Sequence, residues 1–309
     1  MLIPALPPQP VAIYSGFDYL TVDAPRRRVY AAHGGGKALL IVDADSGKVL
    51  GQVQVGRMAG DAVDPATGHV FTGNGDDDSV SEVDPVAMTI VRTVDTPGHI
   101  DAIAYDPTTS RVYADEDDGT RLFVIDTKTM TLLKTIALPG HKPEFITVDP
   151  ETHDVYQNIS DLAEVAVIDP TTLSLKRTIP TPELVGNHPL QYDTVYHTLV
   201  VAGINGKMSS YSRTGTKLAT IDVPRFDQCS LDRATHTLAC AGSGGITRIV
   251  LHADGSLTII DTTPVNPGVH TAVIDPATNA VFTVWSNRDG SGDYVQKLIP
   301  APEPRLVSP

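Results

Sequence analysis

"AIAYDPTTSRVYADE", residues 102–116, reads as two short strands joined by a tight turn. Apolar residues alternate on both sides of Asp106-Pro107, and Asp-Pro followed by Thr and Ser is turn chemistry. One such hairpin decides nothing, but the chain carries the unit seven times. The other copies are "YLTVDAPRRRVYAAH" (19–33), "GDAVDPATGHVFTGN" (60–74), "FITVDPETHDVYQN" (145–158), "PLQYDTVYHTLVVAG" (189–203), "CSLDRATHTLACAG" (229–242) and "TAVIDPATNAVFTVW" (271–285). The aspartates that end the first strand are Asp23, Asp64, Asp106, Asp149, Asp193, Asp232 and Asp275. Successive anchors lie 39 to 44 residues apart.

Each hairpin is followed by a third strand, such as "RLFVID" or "EVAVID", and a fourth, such as "TLLKTIAL" or "SLKRTIPT". Four short strands at this period are the mark of a β-propeller blade, and no amphipathic helical stretch interrupts them. The expected fold is therefore all-β, a seven-bladed β-propeller in a single domain over 1–309, with blades at about 11–299 and a Pro-rich tail at 300–309. The last copy runs out after "YVQKLIP" without a fourth strand. The N-terminal segment "PVAIYS" (10–15) is expected to complete it and close the ring, which removes free sheet edges.

The recurring form "VDPxTxxVYxxN…VxVIDxxTxxxxxTI" resembles the YVTN-type repeat of YncE-like seven-bladed β-propellers, over about residues 11–299. "VDPATGHVF", "YDPTTSRVY" and "VDPETHDVY" carry the likeness. It implies the propeller fold. For function it implies only a range, from binding scaffolds and periplasmic proteins to occasional enzyme subunits.

A formal charge of −14 over 309 residues argues against general nucleic-acid binding, because phosphate needs a basic footprint. The same balance suits a cationic partner, a metal ion or solubility. No apolar run is long enough for a membrane-spanning helix. The start "MLIPALPPQP" lacks a basic n-region and a long apolar core, so it is not an intact signal peptide. A cytoplasmic protein could begin this way, and so could an exported one whose signal has been replaced; a periplasmic or secreted location is the expectation. The two cysteines, Cys229 and Cys240, flank the turn "LDRATHTLA" and should lie opposite each other on neighbouring strands. A disulfide and a pair of buried thiols both fit. A closed propeller has few free edges, so a monomer is expected.

Five residues before each anchor stand Asp18, Ala59, Asp101, Glu144, His188, Asp227 and His270. In a propeller the first strand of each blade is innermost and its start faces the mouth of the central channel. Six of the seven blades thus send an ionisable group towards one opening. The column one residue before the anchor, from Val22 to Ile274, is apolar or aromatic and suits packing between blades. His33, His99 and His141 fall in connections on the mouth face. His69, His153, His197, His236 and His252 fall in turns on the far face.

Carboxylates around one opening repel and need compensation. A divalent metal could supply it. His188 and His270 with Asp18, Asp101, Glu144 and Asp227 would suit Zn²⁺, Mn²⁺ or Fe²⁺, and a carboxylate-only set would suit Ca²⁺ or Mg²⁺. Protonated histidines or raised carboxylate pKa values would serve as well, and so would pairing with Arg57, Lys142 and Arg225. An organic ligand held by this set, with His99 and His33 beside it, is a further reading. Asp76-Asp77-Asp78 and Asp115-Glu116-Asp117-Asp118 lack EF-hand spacing and read as solvated loops. Asp61 breaks an apolar column (Leu20, Ile103, Ile146, Leu190, Cys229, Ala272), so it either lines the channel below Ala59 or marks a register shift. Trp285 and Tyr294 flank the loop "SNRDGSGD" and serve either as blade packing or as an aromatic wall.

No nucleophile elbow, C-x-x-C, H-E-x-x-H or phosphate loop occurs, so motif-borne hydrolase, redox, zincin and nucleotide chemistries receive no support. Two function classes remain. One is a binding propeller presenting its channel mouth to a small ligand, cation or protein. The other is a metal-dependent hydrolase or lyase with His188 or His270 as general base.

Overall fold

The computed structural model describes residues 1–11, 16–287 and 289–301. Seven antiparallel sheets form the seven-bladed propeller. The innermost strands are Leu20–Asp23, Met58–Val63, Ile100–Asp106, Pro143–Val148, Asn187–Asp193, Gln228–Asp232 and Thr271–Asp275. Among the described residues the helical content is one 3₁₀ turn, Ser160–Leu162.

The hairpin turns explain the repeat. Each anchor carboxylate accepts backbone N–H groups just ahead of it, as Asp64 does from Ala66, Asp149 from Glu151 and Asp193 from Val195 and Tyr196. Where Thr stands three residues on, its hydroxyl donates to the second carboxylate oxygen, as in Thr67, Thr109, Thr152, Thr235 and Thr278. The next residue closes the turn with positive φ: Arg27, Gly68, Ser110, His153, His197, His236 or Asn279. The "DPxT" signature is therefore an Asx-type turn, the local chemistry that favours Asp there.

Between blades, one apolar cluster fills each interface. Tyr30, Leu39 and Ile41 of blade one pack on Met58, Val70 and Val83 of blade two. The series runs round to Phe282 and Val284 of blade seven against Val29, Leu40 and Val42 of blade one. Burial of this kind contributes roughly 25 cal/mol per Å² of apolar surface. The stability of the ring is thus distributed over its joints.

In the seventh blade, Leu2–Pro4 pairs with Leu298–Pro300, and Gln9–Pro10 with Tyr294 and Val295. The expected closing segment was 10–15. Of it, Pro10 pairs and the Val11 N–H donates to Asp293 O, while 12–15 lie outside the described residues. Earlier residues hold the edge because they have anchors: the N-terminal amine meets Asp261, and the Leu2 N–H donates to Thr263 Oγ1. Of the C-terminal tail, Pro300 ends the last strand and 302–309 lie outside the described residues. Cys229 and Cys240 face each other in register and form a disulfide, with Cα atoms 4.0 Å apart.

Candidate functional site at the channel mouth

The ionisable column reaches the channel because the innermost strands part from their neighbours there. In blades two to five the pairing skips between Met58 and Asp61, Ile100 and Ile103, Pro143 and Ile146, and Asn187 and Leu190. Bulges of this kind re-aim side chains at a rim. Ala59, Asp101, Glu144 and His188 lie in the skipped positions. In blades one and six, Asp18 and Asp227 sit just before their strands and donate their N–H groups to Ala32 O and Ala241 O. The tight spacing shows at Gly60, where a Cβ would stand 2.6 Å from Asp101 O.

Four of the expected residues form a chain around one side of the mouth. His188 Nε2 lies 3.2 Å from Glu144 Oε2 and 3.2 Å from Asp227 Oδ1, and His270 Nδ1 lies 2.8 Å from Asp227 Oδ2. Asp18 joins through Gln228, whose Nε2 donates to Asp18 Oδ1 (2.8 Å) while its Oε1 accepts from Thr271 Oγ1 (2.5 Å). Asp101 stands on the opposite side. With Asp18, Ala59, Met58, His99 and Asp117 it lines a cavity of about 370 Å³. The small side chain of Ala59 leaves this space open.

Burial is the leading influence on the charges. It pushes Glu144 up to about 8, with the Asp227 charge adding to the effect. Asp18 is pushed up to about 6, by burial against the counteracting pull of His270. Asp101 is held well above the carboxylate range by burial and then by Asp115 and Asp18. Burial lowers the His188 pKa, which favours the neutral ring. His270 is also desolvated, but its contact with Asp227 outweighs this and raises it. For Asp227 burial opposes ionisation, yet His270 and His188 carry it below the usual value. The mouth therefore holds one ion pair, Asp227 with His270, among carboxyl groups whose ionisation burial opposes.

Of the three basic residues expected to pair with these acids, Arg225 helps to lower Asp227, whereas the other two turn away. Arg57 lies 3.7 Å from Asp76, and Lys142 lies 3.2 Å from Asp118, so both turn to the outer loops. The loop acids have separate places. Glu116 pairs with Arg121, and Asp78 lies 2.6 Å from His99. Asp115 is fully buried beneath the mouth, accepting from the Ala102 N–H and from Gln157 Nε2, each at 2.7 Å. It is thus not a solvated loop acid. His33 does not face the opening: it is buried, stacked on Phe17 with ring centroids 4.3 Å apart, and its Nε2 lies 2.8 Å from Asp293. His99 stays on the rim, exposed, and its contact with Gly75 O and then the Asp78 charge raise its pKa. Trp285 and Tyr294 stack at 5.3 Å within the cluster between blades six and seven. Among the described residues, no three His, Cys, Asp or Glu side chains are placed to hold one metal ion.

Directly after Asp18 and Glu144 in the chain come Tyr19 and Phe145. Blades one and four face each other across the axis, and these two aromatic rings meet there with centroids 5.4 Å apart. Beyond them a second cavity of about 280 Å³ is lined by Thr21, Asp61, Gln191 and Arg233. Asp61 keeps its column, paired in register with Thr72, and lines the channel.

No family model and no curated protein matches the chain. Solved structures do. Hydrazine synthase of Kuenenia stuttgartiensis is similar at 15% identity, over 91% of this chain and 95% of that one, with a TM-score of 0.77. U3-55K is similar at 9% identity over 94% and 97%, TM-score 0.81. The WD40 repeats of RRP9 are similar at 9% identity over 96% and 100%, TM-score 0.80. Identities this low speak to the seven-bladed fold alone.

Proposed function

We propose that the protein is a binding propeller whose channel mouth engages a cationic partner, small molecule or protein, through Asp18, Asp101 and Glu144. One observation carries the reading: desolvated Asp18 and Asp101 line an open cavity while Arg57, which lines it too, is spent on the loop acid Asp76. A positive group entering this space would find acids whose ionisation it restores, which is favourable in a low-dielectric site. The likeness to YVTN-type propellers, carried by the repeat motif, is compatible with this role. The disulfide supports an oxidising compartment, outside the cytoplasm.

Titration with hexalysine tests the reading. The wild type should bind it, Asp18→Asn with Asp101→Asn should weaken binding about tenfold, and Asp76→Asn with Asp77→Asn should change it far less. Equal weakening by both pairs would reduce the attraction to general surface charge.

The metal-dependent hydrolase or lyase reading rests on His188 Nε2, equidistant from two carboxylates. An ion there would have to draw these side chains into one ligand set. Elemental analysis of protein purified without a metal-affinity tag tests it. A near-stoichiometric metal that is lost in His188→Ala with His270→Ala would favour the enzyme.

A further inference from the structure

We propose that the inner cavity is a second binding site, separate from the mouth, for a small zwitterion with an ammonium group at one end and a carboxylate at the other. The first observation is Asp61. It is 6% exposed and lines the cavity, and its Oδ2 has no hydrogen-bond partner among the described residues. Its other oxygen accepts from Thr21 Oγ1 at 2.9 Å. A buried carboxyl oxygen left unpaired carries an uncompensated desolvation cost. In the other six blades this column is filled by Leu, Ile, Cys or Ala, so the carboxylate is peculiar to blade two. Since Asp61 stays in register, a slipped strand does not account for it.

The second observation is the shape of the surroundings. Tyr19 and Phe145 close the cavity on the mouth side with aromatic surface, which attracts an alkylated ammonium through the ring quadrupole. A carboxylate beside aromatic faces is the chemistry that selects organic cations over metal ions, which demand several oxygens at once. At the other end stands Arg233, carried by the blade-six hairpin turn on the far face, where its Nε donates to Tyr192 O at 3.3 Å. Its planar fork matches a carboxylate. A volume of about 280 Å³ sits at the small end for ligand pockets, which favours a compact metabolite. Access runs from the far face, because the aromatic pair plugs the mouth side. Burial holds the Asp61 carboxyl well above its ordinary value, so an arriving ammonium would release a proton.

Isothermal titration with glycine betaine tests this, using tert-butylacetate, its isostere without the positive charge, and choline, which lacks the carboxylate. Betaine should bind saturably, at least about tenfold tighter than either control, with a heat that depends on buffer ionisation as the proton leaves. Asp61→Asn should lose at least about tenfold in betaine affinity, Arg233→Gln should lower betaine to the level of choline, and the outer-loop variant Asp77→Asn should change neither. Phe145→Leu, a variant that keeps every charge, should weaken betaine and choline together. Absence of saturable binding, equal binding of tert-butylacetate, or undiminished binding by Asp61→Asn would overturn the assignment. Hexalysine binding at the mouth is read separately, so neither site's failure masks the other's.

Discussion

The two faces of the propeller use the same side chain for opposite ends. On the far face, each blade turns on an aspartate, buried in all but blade two, whose oxygens are satisfied by backbone N–H groups, Thr hydroxyls and often a cation from the next blade. Arg27 binds Asp275 through two hydrogen bonds of 2.9 and 2.8 Å, His236 lies 2.7 Å from Asp193, and Arg213 lies 3.0 Å from Asp149. At the mouth, Asp101 and Glu144 are also desolvated, but their donors are few and their neighbours acidic. The far-face aspartates stabilise the fold through these bonds, and for Asp275 burial opposes ionisation yet Arg27 and Thr278 carry it below the ordinary carboxylate range. The mouth acids are driven towards neutrality and carry latent affinity for positive charge. Environment, not residue type, separates a structural carboxylate from one available to a ligand.

The comparison breaks most readily at Asp275. Its side chain is fully buried and accepts from Arg27, Thr278 Oγ1 and the Ala277 N–H, and Asp275→Ala should cost about 3 kcal/mol or more in chemical denaturation as these hydrogen bonds are lost together. A loss below about 1 kcal/mol would place that aspartate with the dispensable ones. Next comes the disulfide, which closes a short hairpin in blade six. Cys229→Ser with Cys240→Ser should lower stability by about 2–3 kcal/mol, seen as a drop in Tm that reductant reproduces in the wild type.

At the mouth the sign reverses. Glu144 binds its proton more tightly folded than unfolded, its pKa moving from 4.5 to about 8. The native state therefore keeps a proton that the unfolded state releases, and stability falls as pH rises from about 4.5 to 8. Glu144→Gln, which cannot ionise, should be more stable than wild type above pH 8 by roughly 1–3 kcal/mol and nearly equal to it at acid pH. Thermal melts across pH read this directly, and a variant less stable than wild type at alkaline pH would make Glu144 a structural acid. The smallest effect belongs to the outer loop, where Asp76→Asn with Asp77→Asn should stay within about 0.5 kcal/mol.

The fold was legible because its information is local and repeated. Anchor, Thr and left-handed residue recur in each turn, and the strands alternate around them. The polar ring was legible by the same column logic, applied to the first strand. Asp115 escaped because it was taken with the acidic run that follows it. Its column in the second strand holds Ala32, Gly73, Asn158, Ala202, Ala241 and Val284, and a carboxylate among these is as conspicuous as Asp61. Gln157 and Gln228, which bridge neighbouring blades, are neutral and gave no charge signal. His33 was assigned by loop membership, yet it ends the strand Arg28–His33 and Phe17 covers it. The pairing of Leu2–Pro4 with the last strand escaped the sequence reading because the contacts that fix it come from Asp261 and Thr263 of blade six, far away in sequence.

The most direct test of the contrast between the faces is a carboxyl-carbon NMR titration of the aspartates and glutamates. The account predicts a midpoint near 8 for Glu144 and near 6 for Asp18, with Asp101 also above the ordinary range and Asp275 below it. Mouth and far-face carboxylates titrating together near their common value of about 4 would contradict it.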